Sequence, residues 1–472
     1  MSAKTYGLIG GTLGFALMLW LPAPAGMSGP AWHVAALTVL MAAWWMSEAV
    51  PLTVTALLPF LAIPLFGIMP AAAIAKEYYS PILFLILGGA FIALAIERVG
   101  LHRRLALALL HRAGDSAWGL LAAFMAATAM LSMFISNTST ALIMAPIAIA
   151  VLAAAKVPEG ETGGMAGALM MGIAFAASLG GLGTIVGSPT NAIAVGLIER
   201  TLHVEIGFAR WAMFGVPLVL LGTALAFVIL VRVQRLGRYG FDVAAARSAI
   251  GHAAIWTSAE VRVLMVFALV FAAWAGQPWI EGWLPAGALS DGTIAVAGAL
   301  LLFIIPDGEA SEGKRRPLLI WKEADRAPWG VIMMFGGGLA LAAGITESGL
   351  ATWLGTALEP LRHVHPLVIA CALVALVVLI TEFASNVATA SGVMPVVAAL
   401  IGATGVDPVL LAMPAAMAAS WGFMLPSGTG PNAIAWASGH VALPRVLKAG
   451  LMLDLLGIPM IVGVVWAVAA LN

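Results

Sequence analysis

Ser136-Asn137-Thr138-Ser139-Thr140 interrupts a long apolar run, and 249 positions later Ser385-Asn386-Val387-Ala388-Thr389 interrupts another. Both fall where a lipid-facing helix would carry no polar side chain. Irregular backbone and hydroxyl or amide groups persist at membrane depth only where protein buries them or where they line a wet cavity. Two such breaks in corresponding places point to one central binding site.

The totals set the frame for this reading. Hydrophobic residues make up 62% of the 472 positions and charged residues 9%, and mean hydropathy is +1.04, the composition of a polytopic membrane protein whose partner is the lipid bilayer. Formal net charge is zero, so no basic field marks a nucleic-acid partner. The single cysteine, Cys371, sits in an apolar run and reads as a small core residue. Lys4 ahead of Gly7 to Leu21 resembles a signal peptide, but further spans follow Pro22 to Pro30, so the segment reads as a retained first helix.

At roughly 20 residues per crossing, apolar segments begin near Tyr6, Trp32, Leu52, Pro81, Met165, Trp211, Trp256, Thr293, Ala327, Pro408 and Lys448. Two more, 117–155 and 365–403, are broken in the middle by the polar stretches and read as re-entrant hairpins. The expected fold is an all-α polytopic membrane protein of eleven transmembrane helices plus two re-entrant hairpins. With the N-terminus inside, every Lys and Arg except Lys76, Arg200, Arg210, Arg262 and Arg362 falls in a cytoplasmic segment, as the positive-inside rule requires. Eleven crossings place the C-terminus outside.

An internal repeat organises the chain. Gly88-Gly89 through Gly100-Leu101 matches Gly337-Gly338 through Gly349-Leu350, and Ser136-Asn137 through Pro146 matches Ser385-Asn386 through Pro395, all 249 positions apart. A second block, Gly187-Ser188-Pro189-Thr190-Asn191-Ala192-Ile193 against Gly428-Thr429-Gly430-Pro431-Asn432-Ala433-Ile434, matches at 241. The charge map brings the first hairpin in from the cytoplasm and the second from outside, so the repeats are inverted, as in many secondary transporters. Gly-Gly pairs alone would read as helix-packing motifs; the shared Ser-Asn and Asn-Ala-Ile at fixed distances carry the repeat.

Each repeat thus supplies a hairpin tip and a Gly/Pro-rich gap in the following helix (165–200 and 408–440). A gap exposes carbonyls, which suit a hard cation, and a new helix N-terminus, which suits an anion. Ser132, Ser136, Asn137 and the Gly187 carbonyl form a candidate sodium cage. Thr381, the Ala384 carbonyl, Asn386 and the Gly428 carbonyl form its partner. Between the tips, Asn137, Asn386, Thr138, Ser188 and Thr429 are placed to hold a small anion. No Arg or Lys lies in the four breaks, so helix ends and bound cations must balance the anion's charge. Glu382, beside Thr381, has Met133 as its repeat counterpart; it reads as proton-sensitive, part of the coupling, or simply bonded to a neighbouring helix. Asp454 reads as an interfacial residue. No HExxH or GxSxG occurs and no His pair has metal-ligand spacing, which argues against an enzyme.

The paired tips, the two gaps, and Ser420, Phe423, Pro426, Gly428, Asn432 and Ile434 resemble the divalent anion:sodium symporter family, including bacterial dicarboxylate transporters of the INDY type. The resemblance covers essentially the whole chain. It implies a homodimer in the bacterial inner membrane, an elevator cycle, two tip-associated sodium sites, sodium as coupling ion without an organic cofactor, and a C4-dicarboxylate such as succinate or malate, citrate or sulfate as substrate. Some relatives are sodium-independent exchangers; the oxygen ligands present at both tips favour a symporter. It also implies a scaffold, assigned to 1–78, 210–326 and 448–472, and transport elements, assigned to 79–209 and 327–447. The chain departs from the family pattern at Val387, which replaces the second tip's Thr and makes that side of the site less polar, and at Ser427, Gly430 and Ala435.

Overall fold

The structure is a computed structural model and describes residues 3–471 apart from 239, 252–254, 286, 309–315 and 427. Lys314 and Arg315 of the basic loop, the Arg238 side chain and Ser427 lie outside the described residues. Among the described residues the regular structure is helical, with one isolated backbone bridge between Pro306 and Pro317.

The first part of the chain forms α1 (Ala3–Trp20), α2 (Gly29–Ser47), α3 (Leu52–Thr55), α4 (Leu58–Leu65), α5 (Ala71–Glu77), α6 (Pro81–Val99) and α7 (Leu101–Leu110). The span expected from Leu52 is therefore three short helices rather than one. Pro51, Pro59, Pro64 and Pro70 explain the difference, since each lacks the amide that would continue a helical ladder. The first tip joins α8 (Ala117–Ser132) to α9 (Asn137–Ala154), and the first gap separates α10 (Gly164–Gly180) from α11 (Pro189–Leu202). Next come α12 (Phe208–Val233), α13 (Val243–Ser248), α14 (Ser258–Ile280), α15 (Asp291–Ile304) and α16 (Trp321–Ala324). The second repeat runs through α17 (Trp329–Glu347), α18 (Leu350–Leu358), α19 (Pro366–Phe383), the second tip, α20 (Asn386–Thr404), α21 (Pro408–Ala418), the second gap and α22 (Gly430–Ala437); α23 (Leu443–Leu471) closes the chain. Eight of these helices are long and apolar enough to cross a membrane: α6, α9, α12, α14, α17, α19, α20 and α23.

Repeat-related residues do the same structural work. Gly100 and Gly349 end α6 and α17 at φ +76° and +81°, a left-handed corner that costs glycine little, and from each corner a short amphipathic helix leads to a hairpin. The repeats interlock. Helix α9 of the first tip packs on α22 of the second gap, and α20 of the second tip packs on α11 of the first.

Two further helices join this body. Helix α12 packs on α8, α10 and α23, and α23 on α19 and α21. The Trp211 indole donates to the Leu182 carbonyl at 2.8 Å and the Trp421 indole to the Leu453 carbonyl at 3.3 Å, tying both helices to the gaps. Helix α6 packs mainly on α14 and α15 and also touches α11, while α17 packs on α2 to α5 and also touches α11 and α20. A separate apolar cluster around Trp45, Ile63 and Tyr78 gathers α2 to α5, α17 and α18, and takes in Ala388 beside the second tip.

The ion pairs segregate. Arg98 with Asp307 and Glu323, Arg316 with Glu323, Arg104 with Glu260 and Arg247 with Asp115 join segments assigned to the cytoplasmic face, whereas Arg200 with Glu77 and Arg362 with Glu359 join segments assigned to the other. None of these bridges mixes the two sets.

Candidate functional site

At the first tip the Ser132 hydroxyl lies 2.8 Å from Asn137 Oδ1 and 2.6 Å from the Ala177 carbonyl oxygen. At the second, the Thr381 hydroxyl lies 3.0 Å from Asn386 Oδ1 and 2.7 Å from the Ala419 carbonyl oxygen. Each hydroxyl has one hydrogen to give, so it cannot serve both oxygens at once; at the first tip the Gly181 amide also reaches the Ala177 carbonyl, at 3.1 Å. Ser132 and Thr381 are fully buried. A cation satisfies an oxygen left without a hydrogen, and the set of hydroxyl, amide and carbonyl oxygens is the kind a hard monovalent ion takes. Ala177 and Ala419 are absent from the expected cages, because the expected carbonyls are those at the Gly-rich gaps and the second tip, whereas these two lie at the ends of the apolar helices α10 and α21, where no residue type marks them.

The other cage candidates fall as follows. The Ser136 hydroxyl accepts from the Ser139 amide at 3.2 Å and contacts the Ser139 hydroxyl at 3.0 Å, so it caps α9 rather than joining the Ser132 cluster. Gly187 packs with its α-carbon facing the Ser132 and Met133 carbonyls, and Gly428 faces the Glu382 carbonyl; Met133 and Glu382 are repeat counterparts. Ala384 is buried in extended conformation, φ −118° and ψ 158°, which turns its carbonyl out of the helix.

Four helices start at the breaks, each capped by a hydroxyl: α9 by Ser136, α11 by Ser188, α20 by Ser385 and α22 by Thr429. Their first-turn amides offer positive partial charge to an anion without any basic side chain. Thr138 reaches across to the second gap: a Cβ on Gly430 would sit 2.3 Å from Thr138 Oγ1. That contact leaves room for glycine at this position and for no larger residue unless Thr138 moves. Val387 packs against both apolar clusters.

A cavity of about 200 Å³ opens beside the first tip, between it and α6. Ser136, Ser139, Gly187 and Ser188 line it, with Glu97 and Arg326 among the remaining walls. Asn137, Thr138, Asn386, Val387 and Thr429 are not among its lining residues. The expectation of a site devoid of basic groups holds for the breaks but not for this cavity, to which Arg326 comes from the loop before α17.

Asn191 and Asn432, which the repeat alignment singled out without a role, clasp the gaps. Asn191 Nδ2 donates to the Gly181 and Thr184 carbonyls at 2.6 and 2.8 Å, and Asn432 Nδ2 to the Leu425 carbonyl at 3.1 Å. Several buried side-chain oxygens without a partner come in repeat-related pairs: Thr140 and Thr389, Ser178 and Ser420, and the amide oxygens of Asn191 and Asn432. Asp454 is buried rather than interfacial. It adjoins Glu382 and the Phe423 amide without a hydrogen bond of good geometry to either. The reason is the position of α23, packed on α19 inside the site body.

Interlocked helical repeats with paired oxygen clusters at the helix breaks define a membrane transporter rather than an enzyme. The family model described as the sodium:sulfate symporter transmembrane region matches residues 3–471, and the chain belongs to this divalent anion:sodium symporter family. It is 38% identical over 474 residues to a sodium-dependent dicarboxylate transporter, SdcS, of Staphylococcus saprophyticus, covering 98% of this chain and 90% of that one. The SdcS of Staphylococcus aureus strain USA300 is also 38% identical, over 99% of this chain and 91% of its own. In fold the chain is similar to the crystal structure of the Alcanivorax borkumensis YdaH transporter, with a TM-score of 0.55 at 17% identity over 92% of this chain and 98% of that one.

Proposed function

We propose that the protein couples the inward movement of sodium to uptake of a divalent C4-dicarboxylate, such as succinate or malate, across the bacterial inner membrane. The observation that carries this reading is the duplicated oxygen cluster, Ser132 with Asn137 and Ala177, and Thr381 with Asn386 and Ala419, in which one buried hydroxyl faces an amide oxygen and a carbonyl oxygen. Sodium would be held there together with the Gly187, Ala384 and Gly428 carbonyls, with Ser136 capping α9 beside the first cluster. The anion would lie between the tips, on the Asn137 and Asn386 amides and the Thr138, Ser188 and Thr429 hydroxyls, with Val387 as an apolar wall. Sodium beside the site supplies the charge that helix ends alone do not, so empty sodium sites bind the anion poorly.

Re-entry of both hairpins is supported by their outer ends. Asp115 before α8 pairs with Arg247, and the Thr162 carbonyl after α9 accepts from Arg445, which also bonds Gln234; residues 234 and 247 share one loop. In the second hairpin Arg362, before α19, donates to the Ala403 carbonyl at the end of α20 at 2.9 Å. Eleven crossings with the N-terminus inside and the C-terminus outside fit this arrangement. In an elevator cycle the moving body would comprise both hairpins, both broken helices, and also α12 and α23, whose packing on α8, α10, α19 and α21 supports placing them with it rather than in the scaffold ranges 210–326 and 448–472. Helices α6 and α17 would stay with the scaffold, and a second copy of the chain would complete a homodimer.

The test is uptake of labelled succinate into proteoliposomes, with and without an inward sodium gradient, against malate, citrate, 2-oxoglutarate and sulfate as competitors. Sodium-dependent uptake blocked best by C4-dicarboxylates is expected. Uptake indifferent to sodium would make the protein an exchanger, and block by sulfate or citrate alone would reassign the substrate.

A further inference from the structure

We infer that Glu382 is a positioning residue that shapes the second helix break and makes the second cation site electrostatically stronger than the first. The inference rests on the sodium-symport reading above. The carboxylate of Glu382, buried at the end of α19, accepts from three consecutive amides of the second gap: Phe423 at 2.5 Å, Met424 at 3.0 and 3.2 Å, and Leu425 at 3.1 Å. Three amides converging on one carboxylate fix a turn that has no helical ladder of its own.

The first repeat solves the same problem with different atoms. There the Thr184 hydroxyl, from the gap, donates to the Met133 carbonyl, from the hairpin arm. Glu382 stands 249 positions after Met133, and Leu425 stands 241 after Thr184. The second repeat has therefore lost the gap's hydroxyl and gained a side chain on the arm, so the tie runs the other way: arm side chain to gap backbone. Without it, Leu425 would have no means of holding the arm. The exchange has an electrostatic consequence. An acidic side chain now lies next to Thr381 in sequence, and the Glu382 carbonyl faces Gly428, whereas the first cluster has only the apolar Met133 at that position. Of the neighbouring helices, α23 brings one ionisable side chain to Glu382, Asp454, and it makes no well-formed bond in the clamp.

Three variants of the full chain test this. Glu382→Gln keeps the shape of the side chain, discards its charge and turns one of its two acceptor oxygens into a donor; it should raise the sodium concentration for half-maximal succinate uptake about tenfold, while the succinate KM at saturating sodium stays within about twofold. Glu382→Met should lower the thermal stability of the purified protein. Adding Leu425→Thr to Glu382→Met rebuilds the uncharged tie of the first repeat, and should restore stability while the sodium requirement stays high. An unaltered sodium curve for Glu382→Gln overturns the electrostatic role, and failure of the double variant to regain stability overturns the clamp. If the wild type itself ignores sodium, the symport reading fails instead, and the stability comparison still judges the clamp.

Discussion

Asn137 and Asn386 act at the smallest scale on which this protein can be understood. Each is the first residue of a helix, and each brings an amide oxygen to a buried hydroxyl that already faces a carbonyl. On the proposed reading, replacing either with alanine deletes one oxygen from a cation site and one donor from the anion site, so uptake should vanish while the protein still purifies as a monodisperse species; size-exclusion profiles and labelled uptake check both halves. Thr381→Ala should raise the sodium requirement, because it removes the hydroxyl around which the second cluster is built. Gly430→Ala should destabilise the protein by about 1–3 kcal/mol, since the new methyl meets Thr138. Thermal unfolding in detergent should show most of that loss relieved in the double variant with Thr138→Ala, whereas uptake stays low because the Thr138 hydroxyl is gone.

The broken helices are the elements on which the site depends. A gap is stable only if its unladdered amides and carbonyls find partners, and here side chains supply them: Trp211 of α12 and Asn191 of α11 for the first gap, Glu382 of α19 and Asn432 of α22 for the second. Trp211→Phe keeps the packing of α12 on the gap and deletes one buried hydrogen bond, leaving the Leu182 carbonyl short of a donor. A loss of about 1–3 kcal/mol is expected, measured as a lower melting temperature, with sodium recovering part of it if the first cluster binds the ion.

For the whole molecule, the interlocking of each tip with the other repeat's gap means that neither half of the site exists alone. The elevator cycle proposed above requires the body carrying the site, with α12 and α23, to move as a unit against α6 and α17. The sidedness of this arrangement is open to direct measurement. In a Cys371→Ser background, single cysteines at Asp115 and Glu159 should both be labelled by an impermeant thiol reagent from the face that also exposes Lys322. Cysteines at Glu359 and Gly405 should be labelled from the opposite face. Labelling of the two ends of either hairpin from different faces would mean a full crossing.

The sequence by itself determined the class of fold, the repeat and the residues at the breaks, because each leaves a local trace: apolar runs of spanning length, polar residues where lipid should be, and identical motifs at fixed separation. It also pointed to Ser132 and Thr381, one helical turn before their tips. Only the tertiary structure decided what lies across from those residues. The Ala177 and Ala419 carbonyls, the amides gathered by Glu382, the burial of Asp454 and the approach of Arg326 all depend on backbone atoms or on segments distant in the chain. The three short helices after Pro51 and the packing of α12 and α23 on the gaps were likewise settled by proline geometry and by contacts between faces that look equally apolar in sequence. Hydrophobicity tells a helix to enter the membrane, but it does not choose which neighbour it meets there.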